Sequence, residues 1–153
     1  GATCSGKMTL AMHLHNIFPD SFITRQDDFA PPEATTPPVH PTLGGLGHCD
    51  DGLDWLHLHA FLRTIKRIPH ILDDHSSHDH LNEQWPIPLG DSFAMWYKAK
   101  IAAVQKEVEV ASDARIIWGV VNGFLLYWDQ DVVDTLDARV FLRVPYDVLK
   151  ERR

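Results

Sequence analysis

The chain has 153 residues and a mass of 17.4 kDa, the size of one ordinary domain. Hydrophobic residues make up 44% and charged residues 23%, enough for a real core and too apolar for a disordered chain. Lys and Arg number 14 against 21 Asp and Glu, a formal charge of −7, which argues against a nucleic-acid surface and leaves room for a local anion pocket.

The first segment, Gly1 to Gly6, is small and polar, and it runs into Lys7-Met8-Thr9-Leu10-Ala11-Met12-His13-Leu14-His15-Asn16-Ile17-Phe18. Leu10, Leu14, Ile17 and Phe18 follow helical spacing, so a helix of about three turns is predicted, ended by Pro19-Asp20. Ser21 to Thr24 reads as a short strand, followed by Gln26-Asp27-Asp28. Residues 30–52 carry Pro31, Pro32, Pro37, Pro38 and Pro41 with Gly44, Gly45, Gly47 and Gly52, which leaves little room for regular structure. Asp54 to Ile65 reads as a second helix with Asp54 as its N-cap. The stretch 69–92, rich in His, Asp and Pro, reads as a surface insertion. Ala94, Ala99, Ala102 and Ala103 predict a helix from Phe93 to Val108. The apolar run Ala114 to Gly123 suits a buried parallel strand, Val132 to Leu136 a short helix, and Ala138 to Val144 another strand. Pro145 then opens a helix toward Arg153. Strands alternating with helices imply an α/β fold with a parallel sheet flanked by helices. No apolar run is long enough for a membrane span, and no signal peptide is visible, although the chain starts at Gly1 with no initiator Met. Cys4 and Cys49 make no disulfide framework, so a reducing compartment is the simpler expectation.

Gly1-Ala2-Thr3-Cys4-Ser5-Gly6-Lys7 fits G-x-x-x-x-G-K, the core of a P-loop, with the required helix behind it. The glycines let backbone N–H groups curl around phosphate oxygens, and the helix points its positive end at them. Lys7 adds charge for the terminal phosphates. The next position should offer a Ser or Thr hydroxyl to Mg²⁺, but here it is Met8, a soft and poor ligand for a hard cation. Thr9 is one residue on, about 100° round the helix, and is badly placed to substitute.

With that loop in hand, Gln26-Asp27-Asp28-Phe29 after the second strand, Asn122-Gly123-Phe124-Leu125-Leu126-Tyr127 after a later one, and Val144-Pro145-Tyr146 before Lys150-Glu151-Arg152-Arg153 resemble, in order and wording, the nicotinamide riboside kinases of the uridine-kinase-like P-loop kinases. Ala30-Pro31-Pro32-Glu33 and Pro38-Val39-His40-Pro41 look like the fungal form. The resemblance covers nearly the whole chain and is weakest over 69–92. It implies a single P-loop kinase domain over residues 1–153, ATP and Mg²⁺ as cofactors, and phosphorylation of the ribose 5′-hydroxyl of nicotinamide riboside. The mononucleotide so formed feeds NAD synthesis. It further implies a cytoplasmic protein whose partners are ATP and a small nucleoside.

Carried over by position, Asp27 resembles the catalytic base; a carboxylate at a strand's C-terminal end can accept the hydroxyl proton. The bland alternative for Asp27 and Asp28 is a turn or helix cap. Lys7 and the loop residues from Gly1 to Thr9 resemble the ATP site, while Asp27, Asp28, Phe29 and Asp50 resemble the substrate site, with Asp51 the fallback for Asp50. Arg152 and Arg153 resemble the first arginines of a phosphate-clamping lid, or are merely solvated.

Asn122 departs from the family's usual Glu, so it and Met8 both weaken the expected metal site. Against the family pattern the first strand and everything beyond the first lid arginines are missing. The chain then reads either as part of a longer kinase or as a degenerate paralogue. Rival functions are a non-catalytic nucleotide-binding relic and a kinase for another nucleoside such as uridine. His75, His78 and His80 with Asp73, Asp74 and Asp79 invite a metal hypothesis, but a solvated polar loop is the favoured reading. His57 and His59 lie two apart on a helix and do not share a face. Trp55, Trp85, Trp96, Trp118 and Trp128 are read first as packing residues. Cys4, at a helix N-terminus, is read as an inert loop residue before a redox switch.

Overall fold

The computed structural model describes residues 1–30, 53–71, 73, 75–77 and 87–152. The loop 30–52 beyond Ala30 and Asp50, Asp51, Asp74, His78, Asp79, His80, Trp85 and Arg153 lie outside the described residues.

The helix predicted from Lys7 is α1, Lys7–Ile17. It ends where Phe18 turns extended and its N–H closes on Leu14. Strand β1, Ser21–Arg25, follows, and a 3-10 turn takes up Gln26–Phe29. Helix α2, Trp55–Arg67, is capped by Asp54, whose carboxylate accepts the N–H of His57 at 2.8 Å. Helix α3, Asp91–Ser112, is longer at both ends than its alanines suggested; Gly90 opens it, and Asp113 in the left-handed region stops it. Strand β2, Trp118–Asn122, takes up the second half of the apolar run. Helix α4, Gln130–Thr135, starts two residues before the predicted one because Asp129 caps it through the N–H of Val132. Helix α5, Tyr146–Arg152, follows Pro145.

The fold is α/β. β1 and β2 pair in parallel, Ser21 opposite Trp118 and Arg25 opposite Asn122. The twofold alternation of strand side chains sorts them. Ser21, Ile23 and Arg25 share the α1 face with Trp118, Val120 and Asn122, and Trp118 stacks on Phe18 at 4.3 Å. Phe22 and Val121 turn to the other face, where they pack on the core of Phe29, Leu58, Phe61, Leu62, Ile65, Leu126 and Val132. That core joins α2 and α4 to the sheet. On α2 the buried residues Leu58, Phe61, Leu62 and Ile65 follow helical spacing, and Leu58 and Val132 are fully buried.

Residues 138–144 correct one expectation: they form no strand. Ala138, Val140, Phe141 and Leu142 line an apolar cavity of about 530 Å³ whose lining also includes Trp118 to Asn122. A ladder needs its neighbour about 4.8 Å away; among the described residues the only paired strands are β1 and β2, so the β-prone sequence 138–144 has no ladder partner.

Candidate functional site

The loop from Gly1 to Gly6 folds tightly before α1. Ser5 N–H donates to the Ala2 carbonyl at 3.3 Å, and Leu10 N–H to the Gly6 carbonyl at 3.0 Å. Cys4 has φ 60° and Gly6, the residue before α1, has φ 85°. Such left-handed residues turn successive N–H groups inward and make an anion-binding concavity. Glycine meets that demand at position 6 without strain. Lys7 Nζ folds back and donates to the Ala2 carbonyl at 2.6 Å, which holds the ammonium over the loop. Burial lowers its pKa, partly offset by the charges of Asp27 and Cys4. The Ser5 hydroxyl is buried in the loop without a hydrogen-bond partner.

Asp27 comes to this loop from the turn after β1. The C-terminal ends of parallel strands are where α/β folds hold ligands. Burial raises its carboxyl above the ordinary range, and Asp28 adds to that; Lys7 and Arg25 pull the other way. The sequence thus brings one carboxylate and one ammonium, from separate elements, into electrostatic contact at the mouth of the loop.

The remaining candidates scatter. Asp28 turns away from the loop: His75 Nε2 lies 3.3 Å from one carboxylate oxygen, and the Ser77 hydroxyl donates to the other at 3.2 Å. The His75 side chain is only 7% exposed and stacks on Phe29, so it is not the solvated loop residue favoured from sequence. Phe29 is buried and also meets His57 edge to face and Phe61 at a tilt. Arg152 is exposed in the last turn of α5. Among the described residues, no group of three His, Cys, Asp or Glu side chains could hold a metal ion.

Met8 and Asn122 meet. Asn122 Nδ2 donates to Met8 Sδ at 3.7 Å, and Arg25 Nη2 donates to the same sulfur at 3.6 Å. Asn122 Oδ1 is buried without a hydrogen-bond partner. One soft thioether and one neutral amide oxygen, beside a guanidinium, do not fit Mg²⁺, which wants hard oxygens in octahedral array. Sequence reasoning missed Arg25, gave Gln26 no role beyond its motif and read His75 as part of a solvated loop. Only the register of β1 on β2 reveals that Arg25 shares a face with Asn122.

A glycine-shaped loop opening a helix, with lysine and carboxylate at the carboxyl end of a parallel strand, is the architecture of a P-loop kinase. No family model matches the chain, and no solved structure matches it. Among curated proteins it is similar along its whole length to nicotinamide riboside kinases. It is 30% identical to nicotinamide riboside kinase of Schizosaccharomyces pombe, of whose length it covers 62%. It is 31% identical to nicotinamide riboside kinase 2 of Homo sapiens, covering 54%, and 29% identical to that of Mus musculus, covering 63%. The resemblance to the nicotinamide riboside kinase family therefore holds from end to end of this chain, which spans less than two thirds of each of these relatives. No helix among the described residues is long and apolar enough to cross a membrane.

Proposed function

We propose that the chain carries the phosphate-holding and hydroxyl-activating centre of an ATP-dependent nucleoside kinase, and that its substrate is nicotinamide riboside. What supports this reading is the placement of two groups: Lys7, whose ammonium donates to the Ala2 carbonyl across the loop, and Asp27, in the turn at the C-terminal end of β1, close enough for each to influence the other's proton affinity. The names of the relatives supply the nucleoside.

In this reading residues 1–153 act as one domain, with 69–92 an insertion. The loop N–H groups and Lys7 hold the β- and γ-phosphates. An Asp27 oxygen takes the proton of the ribose 5′-hydroxyl. That oxygen bonds to the γ-phosphorus as the bond to the β–γ bridging oxygen breaks, leaving ADP and nicotinamide mononucleotide. The raised proton affinity of Asp27 makes it a stronger base than an exposed aspartate once it is ionised. Asp28 and Phe29 position Asp27 from behind, and Asp50 and Arg153, outside the described residues, would reach the ribose and the phosphates, with Arg152 beside the latter. We place the protein in the cytoplasm with ATP and a small nucleoside as its partners.

The contact of Met8 with Asn122 and Arg25 favours a second reading, a nucleotide-binding protein without turnover. An assay with Mg·ATP and nicotinamide riboside separates the two, with uridine as the competing nucleoside. Product formation abolished by Asp27→Ala supports the kinase. No product from the chain as it stands, with product restored by Met8→Thr and Asn122→Glu, supports the non-catalytic reading. Faster phosphorylation of uridine moves the substrate assignment.

A further inference from the structure

Two aspartates stand side by side in the turn after β1, and Asp28 is drawn away from the loop that Asp27 meets. His75 Nε2 lies 3.3 Å from one Asp28 oxygen, and the Ser77 hydroxyl reaches both oxygens, at 3.2 and 3.4 Å. The Asp28 side chain is 2% exposed and that of His75 is 7% exposed. A carboxylate so far from water is costly unless donors meet it. The His75 ring also packs on Phe29 and Phe61, with centroids 5.5 and 4.5 Å away. His75 thus touches both residues that follow Asp27 in the turn.

We propose that His75 is a positioning residue for Asp27: with Ser77 it clamps Asp28, and so fixes which of the two adjacent carboxylates meets the loop. The inference rests on Asp27 being the base of the proposed kinase. A 3-10 turn is short and its hydrogen-bond geometry is poor, so side-chain anchors decide where its residues point. Gln26 is anchored by the Leu125 N–H, and Phe29 by the core. Asp28 is anchored by the clamp, which leaves Asp27 between held neighbours. Burial first, and the Asp28 charge next, raise the proton affinity of Asp27. Where Asp28 is held therefore bears on the strength of the base as well as its aim. Asp28, read from the sequence as a substrate contact, becomes a support for the base.

Steady-state kinetics of the whole chain with Mg·ATP and nicotinamide riboside test this. His75→Phe keeps a ring against Phe29 and Phe61 and removes the donor. It is expected to lower kcat by about tenfold or more, the scale of a lost hydrogen bond to a buried charge or of a misplaced base, with KM for ATP held within about twofold. His75→Gln gives up the ring and keeps a donor of similar reach, so its kcat is expected to stay within about threefold of the unaltered chain. A residue that only packed would give the reverse order, and that order overturns the proposal, as does an undiminished kcat in His75→Phe. Circular dichroism reports whether each variant folds. If His75→Phe does not, Ser77→Ala carries the test: a kcat lowered by about threefold is expected, and an unchanged one overturns the proposal. NMR titration of the Asp27 carboxyl carbon needs no turnover. Its midpoint is expected to move in His75→Phe and to hold in His75→Gln; a midpoint unmoved in His75→Phe overturns the clamp. Absence of turnover in the unaltered chain overturns the kinase reading alone, and the titration then decides the clamp.

Discussion

The side-chain oxygen of Gln26 accepts the backbone N–H of Leu125 at 2.9 Å, joining two motifs 99 residues apart. Gln26 is fully buried, and Gly123 lies so close that a Cβ there would approach the Cβ of Gln26 to 2.7 Å. The turn that carries Asp27 and the turn that follows Asn122 are therefore set against each other by one amide and one absent side chain.

Gln26→Ala removes that joint. It leaves the Leu125 N–H without its partner and a void beside Gly123, and is expected to cost about 1–3 kcal/mol. Gly123→Ala is expected to cost a similar ~1–3 kcal/mol by overpacking. Urea unfolding measures both; an unchanged midpoint would show that the joint carries no stability.

Asp27→Asn is expected to separate activity from stability. Loss of the base should lower turnover by about 10²- to 10⁴-fold. Burial holds the carboxyl's folded pKa above its unfolded value. Its contribution to stability is therefore greatest below the unfolded pKa and is lost as pH rises through the folded one. At neutral pH the ionised carboxylate is a cost that asparagine removes, so the variant should melt higher there, with the gap closing in acid. Turnover of the unaltered protein runs the other way. It should fall on the acid side at a higher pH than an ordinary aspartate would give. Melts across pH beside a pH–rate profile check both limbs.

Gly6→Ala probes backbone alone. No atom lies within 4 Å of the Cβ it would add, yet φ is +85°. The left-handed conformation should cost about 1–2 kcal/mol, and relief of that strain would reshape the loop. Thermal melts and ATP titration should report a joint loss; a stable variant with unchanged ATP binding would contradict the loop's assigned role.

His75 and Asp28 should be energetically coupled. The Asp28 side chain is 2% exposed and His75 covers it. A double-mutant cycle with His75→Ala and Asp28→Asn is expected to give an interaction of about 0.5–3 kcal/mol. A value near zero would mean that the segment 75–77 merely lies over Asp28.

Several elements were legible in the sequence. Helix α2 and its cap Asp54 are among them, because a cap is a signal local to one turn or two. The loop Gly1 to Lys7 was legible for the same reason. The segment 138–144 was not: alternating and apolar residues state only a preference for extended backbone, while a strand also needs a partner at ladder distance. His75 was misjudged because a polar neighbourhood in sequence says nothing about which buried carboxylate lies across space from it.

By itself the sequence determined the α/β class, the glycine-flanked loop that opens α1 and the carboxylates that follow the first strand, since these rest on contiguous residues and short-range geometry. The tertiary structure alone decided that Asn122, Arg25 and Met8 meet. They stand far apart in the chain, and a slip of one residue in the register of β1 on β2 would turn Arg25 to the opposite face from Asn122. Which charge stands beside Met8 and Asn122 is thus set by sheet register, which no local signal encodes.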